Sequence, residues 1–278
     1  MSVDILVRVP ITFEAADGAT HVPLVMGSVG GVETLLVLDT GADVHILTKE
    51  LVDRLGLEVE EGEEGVDHSG ATMPSWSVAD ARLQLGDVEL MLRDVVSIPA
   101  PAPFASGGIG GGLSPQNLHP TAVTVVDLAV DELLLVEGDD DEVEAWLVER
   151  TPSLTTLGLE RDHTFATVVV QAAVRPFAEI PTLLNTGGRR TEFSSAAVPG
   201  IGDEREERLG GGVSGADVLG SAAGAQTLVV AGHEVPIAQL AVRESMPDPQ
   251  GMVGIDVLRG TVLTCCADPR RRTVWRIP

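Results

Sequence analysis

The chain has no tyrosine, and its aromatic residues make up only 3% of 278 positions, as three Trp and five Phe. A core built without aromatics must be filled by Val, Leu, Ile and Ala. The 44% apolar content is enough to fill one, so a folded globular chain is expected. Positive charge is scarce as well. Eighteen basic residues face 42 acidic ones, for a net charge of −24, and Lys49 is the sole lysine. A surface so acidic repels nucleic acid and anionic membranes, so neither is expected as a partner. There is no basic N-terminal segment leading into a long apolar one, and no apolar run approaches the ~20 residues that span a bilayer. A cytoplasmic protein is therefore expected. The only cysteines, Cys265 and Cys266, are adjacent. A vicinal pair makes a poor disulfide and supplies too few ligands for zinc. The chain also lacks a Gly-x-Ser-x-Gly elbow, a His-Glu-x-x-His pair and a lysine-bearing phosphate loop. Its histidines, among them His45, His68 and His119, are scattered without ligand spacing, and "GGIGGG" at 107–112 does not open a helix in a βαβ unit. No metal and no cofactor are expected.

What is abundant is punctuation. Thirty-one Gly and 17 Pro break the chain into short apolar or alternating runs such as "ETLLVLD", "TAVTVVDLAVDELLLVEG", "FATVVVQAAV" and "GTVLTCCADPRRRTVWRIP". Such runs read as strands. "QLGDVEL" and "VVAGHEV" each read as a tight hairpin. Helical signals are few. Residues 48–56 offer Thr48 as an N-cap and Gly56 as a stop, and 139–150 place acids in the first turns and Arg150 at the end.

The chain also repeats itself. "LLVLDTGA" at 35–42 returns as "PTLLNTGG" at 181–188, with residues 39 and 185 separated by 146 positions. "HSGA" at 68–71 matches "VSGA" at 213–216, Gly86 falls opposite Gly232, and "GGIGGGLS" at 107–114 aligns with "GMVGIDVL" at 251–258 so that Gly110 meets Gly254. Ordered matches at nearly constant spacing indicate one internal duplication. Two β-rich lobes are expected, 1–137 and 164–278, joined by an acidic, partly helical linker at 138–163.

A strand that ends in Asp-Thr-Gly and then turns delivers a carboxylate to a seam. Gly41 permits a sharp turn and close approach, and Thr40 supplies a hydroxyl able to bond a partner loop. Two such loops meeting face to face would bring two acids together. Like charges at that distance share a proton, so one member can activate water while the other protonates a carbonyl.

On these residues the chain resembles the aspartic proteases of pepsin and retropepsin type. "LLVLDTGADVHILTKELVDRLGL" is similar to a retropepsin active-site loop with its following strand and helix. "GMVGIDVLRGTVLTCCADPRRRTVW" is similar to the closing segment of bacterial and retroviral members. The resemblance implies an all-β acid protease fold, with two pseudo-twofold-related, β-barrel-like lobes and few short helices. It implies a bacterial-type, cytoplasmic, single-chain endopeptidase, acting as a monomer on a peptide or protein substrate. It makes Asp39 and position 185 the catalytic pair and Thr40, Gly41, Ala42, Thr186 and Gly187 the active-site loops. The two threonines would lock the loops together, and Gly110 and Gly254 would sit in turns behind them. The flap over the cleft would be residues 66–78. With no Tyr to serve there, Met73 or Trp76 takes the substrate-facing part. Ala42 replaces the hydroxyl residue common in pepsins, which implies a less acidic optimum.

Asn185 stands where the second aspartate belongs. An amide neither shares the proton nor acts as acid or base. Asp39, without its like-charge neighbour, is expected to titrate as an ordinary aspartate, and hydrolysis is expected to be severely impaired. Three explanations are open. The natural residue is aspartate and was altered. The chain is a natural pseudo-protease that binds extended peptides. Or two chains pair their Asp39 loops.

Overall fold

The computed structural model describes residues 3–158, 165–171, 176–202, 206–246, 249–268 and 270–278. The end of the expected linker and the first residue of the second lobe, 159–164, lie outside the described residues. So do 172–174 of the expected strand "FATVVVQAAV" and 203–205. Among the described residues the fold is mostly β, with 50% strand, 12% helix and four helices, and no closed barrel is found.

The first strand changes partners midway. Asp4–Ala15 pairs with Glu132–Glu137 through Asp4 to Pro10 and with Gly18–Val29 from Ile11 onward. Pro10 has no N–H to give a ladder, so it suits the switch point. Along this strand Val7, Val9 and Ile11 alternate inward with more exposed neighbours, the period-2 pattern of a sheet with one buried face.

Each half then repeats a four-strand kernel. In the first, Val32–Leu38 runs parallel to Ile109–Leu113, which lies antiparallel to His45–Thr48, itself parallel to Val95–Ile98. In the second, Pro176–Leu184 is parallel to Gly251–Val253, which is antiparallel to Glu192–Ser194, itself parallel to Leu240–Arg243. The registers agree. Leu38 faces Leu113 as Leu184 faces Val253, and Gly111 faces Leu47 as Gly251 faces Phe193.

These registers correct two alignments read from the sequence. Gly251 is the counterpart of Gly111, so Gly254 corresponds to Ser114 and not to Gly110. Gly110 lies within a strand, and Gly254 is the N-cap of a four-residue helix, Ile255–Leu258. In the hairpins, Leu85 pairs with Val88 as Val230 pairs with His233, so Gly86 corresponds to Ala231. A matched glycine is a weak anchor because a tight turn accepts it at either central position.

Side-chain caps open two of the helices. Helix α1 (Lys49–Leu55) has the Thr48 hydroxyl accepting from the Leu51 N–H and Gly56 at φ 63° ending it. Helix α2 (Ala102–Gly107) has no counterpart motif in the sequence reading. Helix α3 (Asp140–Arg150) opens on a capping box in which Asp139 and Glu142 each accept the other's backbone N–H. Helix α4 is Ile255–Leu258.

The halves share a sheet. Val262–Cys265 pairs with Val123–Asp127 of the first half, and Val274–Ile277 pairs with both Val262–Cys265 and Thr155–Gly158. One apolar cluster runs across the seam and includes Leu38, Leu113, Leu184, Val253, Leu258 and Trp275. Each such side chain, fully buried, contributes roughly 1.5–3 kcal/mol of transfer free energy. The seam therefore holds the two loops as parts of one core.

Candidate active site

Both loops leave their strands in the same way. The Asp39 N–H donates to the Leu113 carbonyl at 3.0 Å, and the Asn185 N–H donates to the Val253 carbonyl at 2.9 Å. Each chain then turns back. Gly41 N–H donates to Asp39 Oδ1 at 2.9 Å, and Gly187 N–H donates to Asn185 Oδ1 at 2.8 Å.

Between the loops Thr40 and Thr186 exchange a closed set of bonds. The Thr40 hydroxyl donates to the Leu184 carbonyl at 2.6 Å and accepts from the Thr186 N–H at 3.0 Å. The Thr186 hydroxyl donates to the Leu38 carbonyl at 2.6 Å and accepts from the Thr40 N–H at 3.1 Å. Both threonines are buried. Water cannot replace a missing partner there, so each of the four bonds fixes loop position beyond its modest net stabilisation of roughly 0.5–1.5 kcal/mol.

The grip stacks each loop's residue against the other loop's glycine. A side chain at Gly41 would meet Asn185 Cγ at 2.6 Å, and one at Gly187 would overlap the Asp39 carboxylate. Only glycine lets the carboxylate and the amide approach across the axis. Burial raises the Asp39 pKa above its usual value. The Gly41 N–H, the nearby imidazole of His68 and the Gly187 N–H pull it back, and Asp43 adds a further upward push. The expectation that Asp39 titrates as an ordinary aspartate is thus corrected, because desolvation replaces the missing like charge as the cause of the shift.

The Asn185 amide is held at both its oxygen and its nitrogen. Its Oδ1 also accepts from the Gly188 N–H at 3.0 Å, and its Nδ2 donates to the Met252 sulfur at 3.2 Å. The first-half position equivalent to Met252 is Gly112, which offers no side chain.

Gly65–Val66 and Thr72–Met73 form a small hairpin, with a larger one formed by Glu207–Gly211 and Asp217–Ala223 in the second half. Their turns match bond for bond. Asp67 N–H donates to Ala71 as Gly212 N–H donates to Ala216, and Gly70 and Gly215 have φ of 84° and 85°. The two tips touch. The Asp67 carboxylate accepts from the Ser69 N–H and the Ser214 N–H, both at 2.8 Å, and occupies the space that a side chain on Gly212 would need. Burial pushes the Asp67 pKa up, but the bonds from Ser214 and Ser69 outweigh it and hold the carboxyl below its usual value. Beside it, His68 Nε2 lies 3.0 Å from Glu192 Oε2, and Arg243 Nη1 donates to the His68 carbonyl at 3.0 Å. Glu192 and Arg243 are themselves a buried pair at 3.5 Å.

The structure thus brings together Asp39, Thr40, Gly41, Asn185, Thr186 and Gly187. Ala42 closes the first turn, its N–H bonded to the Asp39 carbonyl at 3.2 Å. Met73 and Trp76 fall on two different strand pairings. Met73 is buried at the base of the small hairpin, opposite Gly65. Trp76 sits in a strand between Val59–Glu61 and Val95–Ile98, with the Lys49 ammonium 5.7 Å from its ring. Among the described residues the hairpin reaches the opposite half through Asp67 and His68. The sequence signal for them was the "HSGA" echo. The identity of their partners, more than 120 residues away, carries no local signature.

Residues 25–118 match the family model of aspartyl proteases. The match covers the strand into Asp39, the small hairpin and Ile109–Leu113; the second half lies outside it. No curated protein matches the chain. Among the described residues no helix is long and apolar enough to cross a membrane.

Proposed function

We propose that the chain is an aspartic-type endopeptidase scaffold of the single-chain, two-lobed kind. An extended peptide would lie between the Asp39 and Asn185 loops beneath the paired hairpins. The observation that carries this reading is the Thr40–Thr186 grip, which sets the carboxylate and the amide against each other's glycine. Asp39 takes the proton of an attacking water. Asn185 has no acid to give, and its Nδ2 can at most donate a hydrogen bond toward a developing oxyanion. The general-acid step is missing, and such a role is worth ~10²–10⁴ in rate. The residues at the site form a complete hydrolytic arrangement apart from one proton donor, so cleavage by the chain as it stands is slow.

A second reading is favoured by Met252. Its thioether receives the Asn185 amide and offers a carboxylate nothing. That suits a second half adapted to the amide, holding peptide as an added strand without cutting it.

Replacing Asn185 with Asp, alone and with Asp39→Ala, separates the two. Cleavage of casein or a peptide library between about pH 3 and pH 7 that appears in the single variant and vanishes in the double supports the enzyme. Peptide binding with no cleavage by Asn185→Asp at any pH supports the binding module.

A further inference from the structure

The duplication leaves a pocket beside each loop, and the two pockets carry opposite charge. Asp43 and Arg189 each stand four residues beyond Asp39 and Asn185, and Gln116 and Asp256 each stand three beyond Leu113 and Val253. On the first side, Asp43, Gln116 and Asn117 line a cavity of about 300 Å³ with Cys266 and Thr273. On the second, Arg189, Arg190, Arg259, His21 and Gln239 line one of about 690 Å³ along the seam between the halves.

The second pocket gathers three arginines in a chain with 18 basic and 42 acidic residues. Its positive charge is only partly offset. Arg189 is exposed and makes no ion pair among the described residues. The buried Nη1 of Arg190 lies 3.6 Å from Glu207 and makes no hydrogen bond among the described residues. Arg259 is 3.2 Å from the part-exposed Asp131 and stacks on Phe13 at 3.5 Å. The pocket's own acid, Asp256, is committed to the Thr191 hydroxyl at 2.8 Å and the Thr191 N–H at 3.1 Å. On the first side the Gln116 and Asn117 amide nitrogens donate to the Ala42 and Asp43 carbonyls, both at 2.6 Å, and the Asp43 carboxylate is the charged feature of the lining.

We propose that these pockets orient the peptide: the Arg189–Arg190 pocket takes a carboxylate-bearing end and the Asp43 side a cationic one, so the chain lies across the loops in one direction. Symmetric loops alone cannot choose a direction; the sign change between positions 43 and 189 can. The inference rests on the reading of the cleft as a peptide site.

The test uses fluorescein-labelled peptides of about twelve residues, about 40 Å when extended. Each has an apolar centre with Glu at one end and Arg at the other. Both orders and an uncharged control are titrated into the intact chain, and each is made with a free and with an amidated C-terminus. We expect one order to bind about five- to tenfold tighter at low salt, with the gap shrinking as salt rises. Arg189→Glu combined with Asp43→Arg should reverse the preference. Loss of the preference on amidation would assign the carboxylate to the peptide terminus, and its persistence would assign it to the Glu side chain. Equal binding of both orders while the uncharged control binds, or a preference that the double exchange leaves in place, overturns the inference and spares the cleft. Failure of every peptide to bind overturns both.

Discussion

The Asp39 loop and the Asn185 loop hang from the same backbone scaffold, yet the side chains around them are unlike. The strand-end bond, the glycine turn and the threonine grip recur at 2.6–3.1 Å in both halves. Around them the correspondence ends. Gly112 answers to Met252, Ile46 to the buried Glu192, and Ile98 to the buried Arg243. Even the support differs in kind. The Ser114 N–H donates to His45 Nδ1, whereas the Gly254 N–H donates to the Thr191 hydroxyl, each at 3.2 Å. The difference teaches that geometry and chemistry are set by separate groups. Backbone bonds and two hydroxyls place the loops, so position 185 can lose its acid while the loop stays put.

The strongest way to break the comparison is to restore it. Asn185→Asp puts two carboxyls across the axis, where one must hold a proton at neutral pH. We expect peptide hydrolysis to rise by ~10²–10⁴-fold, read as initial rates on a quenched peptide. The Met252 sulfur limits the gain by leaving one carboxylate oxygen without a donor, and Met252→Gly in the same background should increase it. No rise above the parent chain at any pH would remove the endopeptidase reading.

Next in size is the grip. Thr40→Val and Thr186→Val keep the shape and delete one hydroxyl, and each leaves a buried carbonyl and a buried N–H unpaired. At ~1–3 kcal/mol per orphaned group, each variant should lose about 2–5 kcal/mol in urea unfolding. The scaffold is symmetric, so the two losses should agree. A loss confined to one variant would show that one half alone positions its loop.

How much of this was legible beforehand depended on the range of the signal. The Asp-Thr-Gly turn, the cap at Thr48 and the capping box at Asp139 are local and were readable. So was the doubling of the loop, because both copies keep their Thr-Gly. The register of the closing strands was not. Glycine runs at 107–112 and 251–254 align equally well at several offsets, and only the pairing with His45–Thr48 and Glu192–Ser194 selects one. The shared sheet escaped notice because nothing in "TVLTCC" marks its partner as Val123–Asp127. Met73 and Trp76 are the substrate-facing flap residues that the sequence suggests, and the contacts that join the small hairpin to the second half belong to Asp67 and His68.

The hairpins sharpen the comparison on a smaller scale. Asp67→Ala removes the acceptor shared by the Ser69 and Ser214 N–H groups but leaves the His68–Glu192 contact. We expect amide exchange at Ser214 to quicken by about tenfold with little change in global stability, since the affected bonds are confined to the two hairpin tips. Glu192→Gln tests the other contact and should loosen His68 without touching Ser214. Equal exchange at Ser214 in the parent and Asp67→Ala would mean that the tips are held by something other than this carboxylate.

The smallest effect comes from making the two sites alike in the opposite sense, with Asp39→Asn. Burial raises the Asp39 pKa in the folded chain, so between its ordinary value and its folded value the native state holds a proton that the unfolded state has released. This group's contribution to stability is therefore greatest at low pH and is lost as pH rises through the folded pKa. An amide carries no such penalty, and Asn185 demonstrates that its Oδ1 can take the glycine N–H of such a turn. The variant should melt a few degrees higher than the parent at pH 7, about 2–4 °C, with the difference vanishing near pH 3. A parent chain that instead gains on the variant as pH rises would mean that the Gly41 and Gly187 N–H groups, together with His68, outweigh desolvation, and that Asp39 is held as a stabilised anion.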